Sequence, residues 1–332
     1  MTPTRARSKH MIQFFNHLID TKSPAPATLT GYVSAIASVF ALCDRAYTLA
    51  TKEVKDLIKY QKKRRPLEQL TPPKWNLSFV LHKLSLPPFE PLETATSKFL
   101  TWKTCFLLLW ATGCRRSELH ALDLQSMKTS KGSVWKFVEF EPIPGFRAKN
   151  QYLDDLSLPR TYLVKALQGS SDEDLLSCPV RALQIYLDRT KSVRGKRRRL
   201  LLPIDPTSTK VKDITANTVS SWVKKTIVQA YSRSGSFTED EYVRNLYGVD
   251  SQESANFHRA AHEVRAQSAS YRFDSTHHSL EAIMRACYWR SSSVFTNFYL
   301  RDITLEDREH LLRLSTCAAP GRPDTRRPKP SA

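Results

Sequence analysis

Two short stretches of this sequence carry side chains suited to gripping a negatively charged group. Arg115 and Glu118 stand three residues apart at the predicted start of a helix, so the carboxylate can hold the guanidinium while its fork faces outward. His262 and Arg265 have the same spacing in another predicted helix and can point at one spot. Such a pair suits a phosphate whose charge grows in a transition state, because Arg grips two oxygens and His donates to one.

Two aromatic residues follow the second stretch. An apolar stripe that includes Leu280 and Cys287 ends at Trp289, and the next short segment carries Tyr299 at its edge. Both rings have an alternative interpretation as ordinary core aromatics. Each motif is weak alone, since Arg–Glu helix pairs are common surface features and His-x-x-Arg occurs by chance.

The order and spacing of these residues resemble the tyrosine recombinase, or phage integrase, family. The shared pattern is Arg with Glu three residues later, a hairpin connection with a lysine, His-x-x-Arg, then Trp and Tyr, and it covers residues from about 10 to 305. The stretches PFEPL (88–92), ATGCRRSELHAL and WRSSSVFTNFYLRD are most similar to recombinases of DIRS-like retrotransposons and related eukaryotic elements.

The resemblance implies roles for the residues at the phosphate. Tyr299 would be the nucleophile, giving a 3′-phosphotyrosine and a free 5′-hydroxyl. Arg115 and Arg265 would clamp the non-bridging oxygens, while His262 and Trp289 would complete the phosphate pocket. Positioned positive charge can supply what metals supply elsewhere, so the implied chemistry needs no metal or other cofactor. Because the covalent step conserves the phosphodiester energy, strands would rejoin without ATP.

Two further roles follow from the same resemblance. Glu118 would orient the region of Arg115, which we prefer to the adjacent Arg116 because its distance to Glu118 fits the family. Lys149 matches the hairpin lysine that protonates the leaving oxygen, with Arg147 as a close alternative.

A zinc site is an alternative use of the histidines. His258 and His262 stand four residues apart, with His277 and His278 downstream. Glu263 does not fall in the HExxH order, however, and no cysteine cluster supports a metal. We therefore expect one phosphate-binding histidine and no metal ligands.

The composition favours an acidic macromolecule as the partner. The 332 residues include 51 Lys+Arg against 32 Asp+Glu, a formal charge of +19 with a pI near 9.8. Such a charge favours nucleic acid, because cations near phosphates release condensed counterions. A solubilising surface or a membrane-facing patch is the alternative.

The sequence contains no segment that predicts export or membrane insertion. The six cysteines form no CxxC pair and are typical of reduced intracellular thiols. No signal peptide is recognisable, and the longest apolar run, Cys105–Ala111, is far shorter than a spanning helix requires. We expect a soluble protein that uses neither a membrane nor a small-molecule substrate.

The predicted fold is mainly α with a small antiparallel sheet, in two domains. Residues 1–66 are expected to form a helical DNA-clamping (core-binding) domain, short for the family, so that truncation is an open alternative. Residues 67–96 form a Pro-rich linker with one helical piece, 97–317 the tyrosine recombinase catalytic domain, and 318–332 a disordered basic tail. The expected strands are Val134–Phe140 and a second around Leu156–Leu158.

Apolar periodicity places the helices of the larger domain. They are predicted at Leu77–Leu84, Phe99–Ala111, Pro179–Leu187, Thr218–Tyr231, Ala260–Tyr271 and Leu280–Cys287. The cationic run Lys191–Arg199 is predicted as a flexible surface loop, with phosphate contact or nuclear import as further interpretations. The acidic stretch 237–255 is predicted as a surface excursion.

The resemblance as a whole implies a site-specific DNA recombinase of a mobile element, working on double-stranded DNA as a homo-tetramer in the nucleus. One alternative is a domesticated or inactive derivative that only binds DNA. Type IB topoisomerases share much of the chemistry, but the amino-terminal helical module and Pro-rich linker fit a recombinase better. A plain helical interaction protein would require the spaced motif to be a coincidence.

Overall fold

The computed structural model describes residues 7–42, 52–65, 75–149, 151, 160–167, 172–205, 213–231, 260–275, 279–289, 292, 296 and 300. The chain divides into two compact units, residues 1–71 and 72–332. Within the described residues the secondary structure is mainly helical with a small antiparallel sheet, as the sequence predicted. The finer domain boundaries and the functional assignment of each domain stay predictions.

The first unit contains three helices, α1 (Ser8–Lys22), α2 (Pro26–Ala41) and α3 (Lys52–Arg64). Pro26 takes the first position of α2, where its missing N–H costs no helical hydrogen bond. One apolar face of each helix packs into a common core. That core consists of Met11, Phe15, Leu29, Phe40, Val54 and Ile58.

The face of α3 that points away from this core carries three lysines, with Asp56 among them. Lys52, Lys59 and Lys63 are exposed and follow one another at spacings that place them on one side of the helix. Buried Val54 and Ile58 occupy the opposite side. Burial thus fixes the direction in which the lysine stripe faces.

The second unit is built around one buried helix. Its helices are α4 (Leu77–Leu84), α5 (Ser97–Thr112), α6 (Arg116–His120), α7 (Asp172–Leu176), α8 (Pro179–Arg194), α9 (Ala216–Tyr231), α10 (Ala260–Ser275) and α11 (Leu280–Ala286). Helix α5 is buried on every face and contacts α8, α9 and α10, as expected of a helix that is apolar all round. It ends at Gly113, whose positive φ of 60° suits the left-handed residue that terminates a helix.

The sheet lies beside this core. Strands β1 (Lys128–Thr129), β2 (Phe137–Phe140) and β3 (Tyr162–Lys165) pair antiparallel in sequence order. The predicted strand at 134–140 thus begins at Phe137, and the strand predicted around 156–158 lies outside the described residues. The connection from β2 to β3, residues 141–161, contains Lys149.

Residues of the predicted linker are part of the core of the second unit. Leu77, Leu81 and Leu84 of α4 are buried in the same cluster as α5. Phe89 and Leu92, which follow α4, are buried there as well. The described part of this proline-rich stretch is therefore packed, while the assignment of residues 67–96 as a linker stays a prediction.

The prediction of a flexible loop at 191–199 was wrong in its first part, because α8 continues to Arg194. Arg194 is buried, and its guanidinium donates to the carbonyl oxygens of Arg199 and Leu200 at 3.0 and 2.9 Å. Arg198 forms an ion pair with Asp123. These contacts tie the run to the core, a tertiary effect that a run of cations does not reveal.

The remaining predictions about surface segments concern residues that the structure does not describe. The acidic stretch 237–255 and the basic tail from 318 lie outside the described part of the chain. No helix among the described residues is both long enough and apolar enough to cross a membrane.

Candidate functional site

The site begins where α5 ends and α6 starts. Gly113 turns the chain, and Arg115 caps the N-terminus of α6. Glu118 accepts a hydrogen bond from the backbone N–H of Arg115 through Oε2 at 2.8 Å, and one from the Arg115 guanidinium through Oε1 at 2.9 Å. The carboxylate therefore holds Arg115 at both its backbone and its side chain. The neighbouring Arg116 is exposed.

Two further arginines reach the same carboxylate. Arg160 lies just before β3 and contacts Oε1 of Glu118 at 3.2 Å. Arg265 comes from α10 and lies 3.7 Å from Oε2. Glu118, Arg160 and Arg265 are all buried, whereas the Arg115 side chain is 19% exposed. Three guanidinium charges thus surround one carboxylate charge, with Arg115 at the solvent edge.

Arg160 was not among the site residues predicted from the sequence. An arginine directly before an apolar strand is an ordinary feature, and no spacing rule links it to Glu118. Arg160 directly precedes β3, which pairs with β2 and packs against α5. Only the contact between Arg160 and Glu118 identifies Arg160 as part of the cluster, and that contact exists only in the folded chain.

Side chains of helix α10, including Arg265, donate hydrogen bonds to carbonyl oxygens at the end of α5. Arg265 donates to the carbonyl oxygen of Gly113 at 2.5 Å, and Ser268 donates to that of Trp110 at 2.7 Å. One turn further, Arg272 donates to the carbonyl oxygen of Ala111 at 2.6 Å. The last carbonyls of a helix lack intrahelical partners and carry partial negative charge, so cations there stabilise the helix end.

The end of α11 closes over the other side of Arg265. The carbonyl oxygen of Cys287 accepts from Arg265 at 2.6 Å, and the buried Trp289 ring lies 5.0 Å from the guanidinium carbon, within cation–π range. Between them, Tyr288 adopts a positive φ of 54°, which costs a non-glycine residue about 1 kcal/mol.

The structure does not gather every predicted residue here. His262 is exposed and lies one helical turn before the buried Arg265. Lys149 is exposed in the β2–β3 connection, and no described contact joins it to Glu118 or the arginines. Tyr299 lies outside the described residues. The structure therefore brings together Arg115, Glu118, Arg265 and Trp289, and adds Arg160.

Burial and the Glu118 charge suppress ionisation of nearby nucleophiles. Burial, followed by the negative charge of Glu118, raises the pKa of the Cys114 thiol to about 12. The same two causes hold the pKa of Tyr162 well above its usual value. Both groups stay protonated at neutral pH, so neither offers a thiolate or phenolate as a nucleophile.

The cluster is suited to binding an anion rather than a metal. Its only described carboxylate, Glu118, already contacts three arginines, and no grouping of His, Cys, Asp and Glu in the described parts of the chain could hold a metal ion. The histidines His258, His277 and His278 lie outside those parts. Fixed guanidinium groups match the oxygens of a phosphate or carboxylate.

Known proteins provide little additional information about the function of this chain. No protein-family model matches the chain, and no curated protein matches it. Among solved structures, the FLP Recombinase-Holliday Junction Complex I is similar at 15% identity with a TM-score of 0.33. The match covers 88% of this chain and 62% of that one, so this chain spans less than two thirds of the length of the solved protein.

Proposed function

We propose that this chain is a DNA strand transferase that cleaves and rejoins DNA through a covalent bond between Tyr299 and a phosphate. The observation that carries the proposal is the convergence of Arg115 and Arg265 on the two oxygens of Glu118, although they lie far apart in the sequence. The Arg115 guanidinium lies at the solvent edge, so a phosphate bound there would contact Arg115 directly and interact with the charge of the buried Arg265 on the other side of Glu118.

The charge balance of the cluster supports a phosphodiester as substrate. Three guanidinium groups face one carboxylate in a largely buried setting, where charge interactions are less screened than in water. The transition state of phosphoryl transfer spreads negative charge over the non-bridging oxygens. Positive groups that are already fixed stabilise that charge without having to reorganise.

Tyr299 is our proposed nucleophile because the sequence places it shortly after Trp289, which packs on Arg265. Tyr299 would lose its phenolic proton to solvent, and its oxygen would form a bond to phosphorus while the bond between phosphorus and the 5′ oxygen breaks. Lys149 would give that 5′ oxygen its proton. His262, one turn from Arg265, would donate to a non-bridging oxygen. Glu118 would position Arg115, and its two hydrogen bonds to that residue support this role.

The kind of recombinase, its assembly and its location are also part of the proposal. The stretches ATGCRRSELHAL and WRSSSVFTNFYLRD support a recombinase similar to those of DIRS-like retrotransposons. Such a protein would act on double-stranded DNA as a homo-tetramer on paired sites, in the nucleus. The formal charge of +19 and the exposed lysine stripe of α3 support DNA as the partner.

The decisive experiment uses a nicked suicide DNA substrate taken from the termini of the parent element. The wild-type chain should give a protein–DNA adduct that survives denaturation, and Tyr299→Phe should give none. Tyr162→Phe is the matched control, because it removes one tyrosine hydroxyl but keeps Tyr299, and it should still give the adduct. Failure of the wild-type chain to form any adduct would refute the proposal.

One observation favours a second candidate, a derivative that binds DNA without cutting it. Arg265 is 1% exposed and donates to two backbone carbonyls, as a structural arginine does. This candidate predicts salt-sensitive DNA binding that survives Tyr299→Phe, with no adduct from the wild-type chain. The adduct assay thus separates the two candidates directly.

A further inference from the structure

We propose that Tyr288 is a positioning residue that fixes Arg265 relative to Arg160 for the reaction. The inference rests on the proposed function, but its structural part concerns only the contacts between the end of α11, the start of β3 and Arg265. Tyr288 would act through its two chain neighbours, Cys287 and Trp289.

The first observation is the way in which α11 ends. The backbone N–H of Trp289 donates to the carbonyl oxygen of Met284 at 2.8 Å. The backbone N–H of Tyr288 donates to the carbonyl oxygen of Arg285 at 3.1 Å. This paired arrangement, a Schellman motif, places its left-handed residue at Tyr288, where glycine is usual. A tyrosine at this position costs free energy that a glycine would avoid, so its side chain has to compensate.

The second observation shows where that compensation lies. The Tyr288 hydroxyl donates to the carbonyl oxygen of Thr161 at 2.9 Å and accepts from the Thr161 N–H at 3.2 Å. The Tyr288 ring lies 4.3 Å from the guanidinium carbon of Arg160 and makes an edge contact with Tyr162. The side chain therefore ties the end of α11 to the start of β3, where the missed arginine Arg160 lies.

The third observation connects this tie to Arg265. Cys287, just before Tyr288, accepts a hydrogen bond from Arg265, and Trp289, just after it, packs on the same guanidinium. Both contacts depend on the path of the backbone through residue 288. Tyr288 thus links Cys287 and Trp289, which both contact Arg265, to the start of β3. Arg160, which contacts Glu118, lies at that start.

The test compares Tyr288→Phe with Tyr162→Phe. The first change keeps the ring but removes both hydrogen bonds to Thr161. The second removes a buried hydroxyl that has no hydrogen-bond partner among the described residues. If Tyr288 positions Arg265, Tyr288→Phe slows adduct formation about tenfold and leaves DNA affinity within about twofold. Tyr162→Phe changes neither quantity.

A double-mutant cycle decides whether the effect passes through Arg265. We expect Tyr288→Phe to slow the wild-type chain but to have little further effect in an Arg265→Lys background, because the group it positions has already been replaced. Equal slowing in both backgrounds would overturn the proposal. So would an unchanged rate in the single variant.

Hydrogen exchange tests the same tie without any reaction. Tyr288→Phe should speed exchange of the backbone amides at positions 288 and 289, and Tyr162→Phe should not. Unchanged exchange in Tyr288→Phe would overturn the proposal. If the wild-type chain forms no adduct, the proposed function fails and the catalytic part of this inference fails with it, while faster exchange would still establish the tie itself.

Discussion

Arg115 and Arg160 donate to the same oxygen atom, Oε1 of Glu118, at 2.9 and 3.2 Å. One guanidinium comes from the helix start that the sequence motif identifies, and the other comes from the beginning of a strand. Their shared acceptor is fully buried. The cluster is therefore a tertiary assembly in which one carboxylate sets the positions of cations from separate elements.

The stability of the unit should depend on this carboxylate. We expect Glu118→Gln to lower the free energy of unfolding by about 3 kcal/mol, because it leaves buried guanidinium groups without their compensating charge. Urea denaturation followed by circular dichroism measures the change. Glu93→Gln is the matched control, since Glu93 pairs with Arg181 at an exposed site and should contribute less than about 1 kcal/mol. Equal losses in the two variants would contradict the assigned role.

The proposed function predicts a sharp difference between two adjacent arginines. Arg115→Ala should slow adduct formation on the suicide substrate by about a hundredfold or more, as expected when a fixed transition-state cation is removed. Arg116→Ala should slow it by less than about threefold, because Arg116 is exposed and outside the Glu118 contacts. Single-turnover kinetics at saturating protein measure both rates. Similar effects of the two changes would count against the Arg115 assignment.

Replacing two glycines, Gly113 and Gly31, by alanine should change the free energy of unfolding in opposite directions. In Gly113→Ala the new Cβ would lie 3.3 Å from Arg272 and Ser268 atoms at a φ of 60°, so we expect a loss of about 1–2 kcal/mol. In Gly31→Ala the Cβ meets nothing within 4 Å inside α2, so we expect a gain of about 0.5–1 kcal/mol. Thermal and urea denaturation of both variants test this. A neutral Gly113→Ala would show that the turn before Arg115 is not constrained.

Buried Lys103 should make stability depend on pH. Burial lowers the pKa of Lys103 to about 8, although its ion pair with Glu90 partly opposes that shift. A folded pKa below the unfolded value of 10.5 means that the unfolded chain binds more protons between these values. The Lys103 contribution therefore becomes more favourable as pH rises from about 8 to 10.5, by at most about 1.4 kcal/mol per pH unit.

The difference between wild type and Lys103→Met isolates this effect. Buried Cys114 has a raised pKa, so its contribution falls as pH rises in the same window, but it is common to both chains. We expect the stability of the wild type relative to Lys103→Met to increase from about pH 8 to 10. A flat or falling difference would exclude a lowered Lys103 pKa.

The lysine stripe of α3 should contribute to DNA binding through charge alone. Replacing Lys52, Lys59 and Lys63 together by Gln should weaken binding to duplexes of any sequence and reduce the slope of log K against log salt by about 2–3. Replacing all three by Arg should leave the slope unchanged, since the charge is kept. Salt titrations by fluorescence anisotropy measure the slope. An equal slope in the Gln variant would show that the stripe only faces solvent.

Several features could be predicted from the sequence because they depend on local spacing. The i,i+3 pair Arg115–Glu118 forms as expected, since both residues lie in one turn around the start of α6. The buried helix ending at Gly113 was also predicted, because an apolar run followed by glycine is a local signal. The strand β2 was found, although its first residue was placed three positions early.

Other features depended on contacts between distant residues. The sequence could not show that Arg160 joins Glu118, because the packing of β3 against β2 and α5 joins segments that are far apart in the sequence. It could not show that the cations near Arg194 are tied to backbone carbonyls rather than free in a loop. Nor could periodicity show that Tyr288 takes a position usually filled by glycine.

By itself, then, the sequence determined the helical class, the basic charge and the residue types from which an anion-binding cluster could be built. Local propensities and spacings carry that information within a few turns of chain. Which arginines meet one carboxylate, and how deeply each is buried, was decided only by the tertiary structure. Burial and ion pairing depend on packing between segments that are far apart in the sequence, and no local pattern encodes such packing.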